Sequence, residues 1–144
     1  MTRFYGIDDA NRQLTELQPI LAALRDQRSE LIRLRDEVLS AGELAADGER
    51  PAGRRGDRPA RPAQDLTVAR LRMQGLIDQM QAGVSRLDDL DVVLRDIATG
   101  LIDFPALVNG RQVWLCWRLG EEEVGWWHEL STGVAGRRRI IDLA

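Results

Sequence analysis

Two stripes of apolar residues at helical spacing, parted by a segment with almost nothing to bury, constrain this chain more than any other feature. Over 8–46, Ala10, Leu14, Leu17, Leu21, Leu24, Leu31, Leu34 and Val38 recur mostly three, four or seven residues apart, which lines one face of an α-helix. Arg12–Glu16 and Arg33–Glu37 stand one turn apart and can support the exposed face. Pro19 lacks a backbone donor, so a kink or a second helical segment is expected there. Residues 47–64 are rich in proline, glycine and arginine and are expected to form a flexible loop where the chain reverses. Periodicity resumes over 65–91, where Ala69, Met73, Leu76, Met80, Leu87 and Leu90 make a heptad-like seam. Such stripes predict a long antiparallel, coiled-coil-like two-helix hairpin. Two helices alone make a thin core, so the expected partner is the chain itself, as a homodimer or higher assembly.

The pattern changes over 92–130. The acidic cluster Asp88, Asp89 and Asp91 followed by Val92-Val93 reads as a helix end and then a short strand. GLIDFPALVNG, RQVWLCWRLG and EEEVGWWHEL follow as β-rich segments, with all four tryptophans in the last two. Asn109-Gly110 is a hairpin signal, and Gly120-Glu121 a second plausible turn. The expected architecture is α+β: the helical hairpin, a C-terminal antiparallel meander of three strands (four if 92–96 joins), and a tail over 131–144. A two- or four-residue turn at Gly120-Glu121 pairs Leu115 with Trp126 and Arg118 with Glu123. It places Val113, Leu115, Trp117, Trp126 and His128 on one face and Trp114 opposite Trp127 on the other. A one-residue slip would mix the two faces.

Charge and cysteine usage narrow the function classes. The net charge is −3 and the pI near 5.2, against the basic surface usual in nucleic-acid binders. All 20 basic residues are arginine, which the AT-rich lysine codons connect to a GC-rich genome rather than to a partner. The arginine stretch Arg50–Arg61 includes Asp57 and no aromatic residue to stack on bases, so nucleic acid is not an expected partner. Cys116 is the single cysteine, so no intramolecular disulfide forms and a reducing compartment is expected. With no apolar leader and no run near the roughly 18 apolar residues of a membrane span, the expectation is a cytoplasmic protein that does not engage a membrane.

Cys116 and His128 are each the only residue of their type. The expected register puts them on opposite faces, which separates a thiol–imidazole pair, and Cys116 between Leu115 and Trp117 reads as a buried, inert thiol. His128, beside Glu129 and with Asp103 on a neighbouring strand, could hold a divalent metal through His128 and Asp103, with a second subunit completing the shell. Gly133-Val134-Ala135-Gly136 before Arg137, Arg138 and Arg139 could hold a phosphate or carboxylate.

The segments LIDFPA, VWLCWRLGEEEVGWWHE and GVAGR resemble the signature of an uncharacterised bacterial family, domain of unknown function 2203. IDDANRQLTELQPIL resembles the opening of the same family, so the likeness covers nearly the whole chain outside the arginine–proline loop. The motif matches at Asp103, Phe104, Pro105, Cys116, Trp117, Gly120, Glu121, Trp127, His128, Gly133 and Arg137. Several of these are polar beyond what packing requires, which implies that a site belongs to the meander, around Asp103, Glu121, His128 and Arg137. The leading expectation for function is a non-enzymatic, homo-oligomeric scaffold or interaction protein. The alternative is a metal- or small-anion-binding protein, or an enzyme, with its site at the meander.

Overall fold

The first apolar stripe forms one helix, α1 (Ile7–Ala46), and the second forms α2 (Arg61–Asp89), in a computed structural model that describes residues 2–46 and 61–142. Asp8 and Asp9 occupy the first turn of α1, where carboxylates complement the positive end of the helix dipole. The helix runs through Pro19 as a single element, so no second segment opens there. Pro19 and Thr15 are both exposed, and water can serve the Thr15 carbonyl that the proline leaves unpaired. Residues 47–60 of the expected loop lie outside the described residues.

The chain divides into two compact units. One comprises the described residues up to Asp26 together with those from Gln81, and the other is Gln27–Met80. In the first, Ala10, Leu14, Leu17, Leu21 and Leu24 of α1 and Leu87 of α2 are buried, and Arg86 Nη2 meets Glu16 Oε1 at 2.6 Å outside them. In the second, Leu34 and Ala69 are buried, while Leu39, Val68 and Leu71 are more than half exposed. Among the described residues, no helix is long and apolar enough to cross a membrane.

α2 ends where Asp91 takes a left-handed φ of 57°, and five strands follow: β1 (Val93–Asp96), β2 (Leu101–Val108), β3 (Arg111–Arg118), β4 (Trp126–His128) and β5 (Arg138–Arg139). They form one antiparallel sheet in the order β1-β2-β3-β4-β5. The fold is thus α+β, and β5 comes from the stretch expected to be tail. Val108 pairs with Arg111 across Asn109 (φ 52°) and Gly110 (φ 77°), the doubly left-handed turn that an Asn-Gly pair favours.

The β3–β4 connection overturns the expected register. Leu119–Gly125 joins the two strands with an odd number of residues rather than two or four. Cys116 therefore pairs with Trp126, Leu115 with Trp127 and Trp114 with His128. The physical reason is that Gly120-Glu121 does not close a hairpin by itself. The Glu121 N–H turns back onto the Arg118 carbonyl, and the loop then continues until the Val124 N–H meets Asn11 Oδ1 on α1 at 2.7 Å.

With this register one face of the sheet is apolar. Ile102, Phe104, Ala106, Val113, Leu115, Trp117 and Trp127 alternate along β2, β3 and β4 and are all buried. Tyr5 links this face to the helices: its ring meets Phe104 edge-on at 5.0 Å, its N–H donates to the Pro105 carbonyl, and its hydroxyl donates to the Leu90 carbonyl at 2.6 Å. Gly100, before β2, has φ +67°, and a Cβ there would lie 2.6 Å from Leu119 Cβ. Gly100→Ala combines left-handed strain with a backbone-anchored clash, so the unfolding free energy should fall by about 2 kcal/mol or more in urea titration. An unchanged midpoint would show that the β1–β2 turn is not held as described.

Candidate metal centre

The second face of the sheet carries the polar residues. Asp103 of β2 lies directly opposite Cys116 of β3, and the pair Trp114–His128 follows two residues along. Asp103, Cys116 and His128 are 1%, 0% and 2% exposed. One ligand-type atom from each, a carboxylate oxygen, Sγ and an imidazole nitrogen, lies within 4.8 Å of the other two. The expectation that Cys116 and His128 occupy opposite faces is therefore wrong, and the odd-length β3–β4 connection is the cause. Among the described residues, this is the one such group of three.

The hydrogen bonds of His128 define its tautomer. Nδ1 lies 2.8 Å from the Glu129 carbonyl oxygen, which only accepts, so Nδ1 carries a proton. In the neutral ring Nε2 then presents a lone pair, and it lies 2.9 Å from Asp103 Oδ2. Two lone-pair atoms meet at that distance only around a positive centre, either a proton or a metal ion. Oδ2 also accepts from Arg95 Nε at 2.8 Å. Asp103 Oδ1 is buried without a hydrogen-bond partner, a costly state for a carboxylate oxygen.

Two guanidiniums flank the group. Val93 pairs with Asp103 across β1 and β2, so Arg95, two residues on, shares that face, where it meets Asp103 and lies over the Trp114 ring at 4.9 Å. Arg137 stacks on Trp126 at 4.3 Å, places Nη1 3.8 Å from Cys116 Sγ, and forms a fork with Glu121 at 3.2 and 3.3 Å. Burial, followed by the Asp103 charge, pushes the Cys116 thiol up to about 11 despite the nearby Arg137.

Asp103 and His128, two of the residues expected at a site, thus meet directly. Glu121 and Arg137 pair with each other beside them, and Arg137 reaches Cys116. Cys116 is the member that residue-by-residue reading set aside, although the matched motif contains it together with Asp103 and His128. In the glycine-rich turn, Arg138 lies over Trp127 and Arg139 over Trp126. The three guanidiniums thus lie against tryptophans of the sheet, and that of Arg137 also pairs with Glu121.

The family model described as an uncharacterized conserved protein (DUF2203) matches residues 3–140. The chain belongs to the DUF2203 family. No curated protein and no solved structure matches it. As a DUF2203 protein it carries the matched polar residues Asp103, Cys116, Glu121, His128 and Arg137 as one contiguous network, from the buried group to the Glu121–Arg137 pair.

A thiol held near 11 has about two orders of magnitude less thiolate at pH 8 than an ordinary cysteine. Iodoacetamide should therefore modify Cys116 in the folded, metal-free chain more than about tenfold slower than in urea, since the lost thiolate outweighs the gain in intrinsic nucleophilicity. Equal rates would place Cys116 outside the buried group.

Proposed function

We propose that this protein binds a divalent transition-metal ion of the Zn2+ class through Asp103, Cys116 and His128. The observation that carries the reading is the meeting of His128 Nε2 with Asp103 Oδ2 at 2.9 Å while Nδ1 donates to the Glu129 carbonyl. A proton between them would account for that contact alone. A metal ion also accounts for the buried, unpartnered Asp103 Oδ1 and for a thiol placed against the same carboxylate. Mixed sulfur, nitrogen and oxygen donors suit Zn2+ or Co2+ rather than Mg2+ or Ca2+, which prefer oxygen alone. Two anionic donors, the Asp103 carboxylate and a Cys116 thiolate, balance the ion's charge. Arg95 would hold the carboxylate in place and Arg137 would face the thiolate. Three protein donors leave a four-coordinate ion one position for water or a ligand, the arrangement of catalytic rather than structural zinc.

The metal-free full chain, titrated with Co2+, should bind one ion per chain and develop the near-ultraviolet absorption of a thiolate–Co2+ bond. Cys116→Ser should remove that band with the circular dichroism unchanged, and His128→Ala should weaken Zn2+ binding by about 100-fold or more. Because the thiol is held near 11, binding displaces its proton, so affinity should rise about tenfold per pH unit from about pH 7 to 9. No binding at micromolar Co2+, or a band that survives in Cys116→Ser, would sink the reading.

A second property rests on a separate observation. Leu39, Val68 and Leu71 are 57%, 54% and 67% exposed within the Gln27–Met80 unit, which leaves apolar helix surface for a second copy of the chain to cover. Light scattering should then give a mass above the monomer's, and Val68→Glu with Leu71→Glu should lower it to the monomer's while Co2+ binding persists. A wild-type monomer at about 100 µM would exclude this self-association.

A further inference from the structure

A cavity of about 460 Å³ opens onto the buried group, with Asp103 and His128 in its wall. Arg95 and Arg118 also line it, together with Leu101, Leu130 and Val134. We infer that this cavity binds a small organic carboxylate, its charged head between Arg95 and Arg118 and its hydrocarbon part against Leu101, Leu130 and Val134. The inference rests on the metal reading for a second anchor, the free coordination position beside Asp103 and His128, and for the neutralisation of the Asp103 carboxylate.

The charges favour an anion. Arg95 commits Nε to Asp103 Oδ2 and lies over Trp114, which orients the rest of its guanidinium without using all its donors. The backbone N–H of Arg118 donates to Glu121 Oε1 at 2.7 Å. Among the described residues, the Arg118 guanidinium has no hydrogen-bond or ion-pair partner. Arg118 pairs with Leu101 across β3 and β2, two residues along from the Cys116–Asp103 pair, so its side chain rises on the same face as the buried group. Asp96 also lines the cavity and accepts from Thr99 Oγ1 at 2.6 Å. Once Asp103 is neutralised by a metal, two guanidiniums oppose the single carboxylate of Asp96. The fork geometry of arginine matches a carboxylate, and the branched apolar side chains would reward a ligand with a short hydrocarbon chain over a bare inorganic ion.

The test uses the Co2+-loaded full chain, titrated separately with acetate, hexanoate and inorganic phosphate, with binding read by calorimetry and by the visible Co2+ bands. Hexanoate should bind about tenfold or more tightly than acetate and should shift the bands. Arg118→Ala should weaken hexanoate about tenfold or more while Co2+ stoichiometry is unchanged. Equal hexanoate binding by wild type and Arg118→Ala, or no binding of any anion by a chain that holds Co2+, would overturn the inference and leave the metal reading standing. Phosphate binding tighter than hexanoate would overturn the organic carboxylate as the ligand. If the chain takes up no Co2+, the metal reading fails, and calorimetry on the metal-free chain decides the anion site: Arg118-dependent hexanoate binding sustains it and its absence overturns it.

Discussion

Glu121 is bonded through every polar part of its residue. Its backbone N–H turns onto the Arg118 carbonyl, its carbonyl accepts from Trp117 Nε1, and its carboxylate takes the Arg118 N–H and the Arg137 fork. These bonds, with Asn11 holding the Val124 N–H, shape the loop that returns the chain as β4. That return sets the pairing of Trp114 with His128 and of Cys116 with Trp126. Because side chains alternate along a strand, a shift of one residue there would send His128 to the apolar face and dissolve the buried group. The chemistry of the second face thus depends on a loop outside it.

The two faces meet opposite physical demands. The inner face buries apolar rings and branched chains, with Trp117 and Phe104 fully enclosed. Burying Asp103, His128 and the thiol of Cys116 on the outer face costs free energy unless each group finds a partner. Arg95 and the Glu129 carbonyl supply two partners, while Asp103 Oδ1 has none. Tryptophan and arginine cover the same face together: Arg95 lies on Trp114, and Arg137 and Arg139 lie on Trp126. Planar guanidinium over indole keeps water from the buried group while leaving arginine donors available at its rim.

The helical units differ in how much they bury. In the unit that holds the sheet, Ala10, Leu14, Leu17, Leu21 and Leu24 of α1 and Leu87 of α2 are buried, as is Tyr5 against Phe104. Among the described residues of the Gln27–Met80 unit, Leu34 and Ala69 are the buried apolar residues, and Met73, Leu76 and Met80 remain partly exposed. Charged pairs such as Arg72–Glu30 at 3.1 Å add little in solvent. The same heptad spacing therefore serves two environments, because periodicity says which residues share a face and not what covers that face.

Much of the fold was legible in the residues themselves. Helical periodicity marked both helices, the acidic cluster before Val92-Val93 marked the end of the second, and Asn109-Gly110 marked the β2–β3 hairpin, since each signal is local to a few turns or one dipeptide. Asp103 and His128 were legible as candidates because a lone histidine near a carboxylate is chemically distinctive. Cys116 was not, since its place depends on whether the β3–β4 connection has an odd or even number of residues. That number follows from bonds to Asn11 and Arg137, far away in sequence. Arg95 was hidden for a similar reason: the pairing of Val93 with Asp103, a contact between strands, sets it on the face of Asp103. The sequence alone thus determined the elements and their order, because those follow from short-range periodicity and turn chemistry. Only the tertiary structure decided which side chains meet, because strand register is set by long-range contacts that a local pattern does not encode.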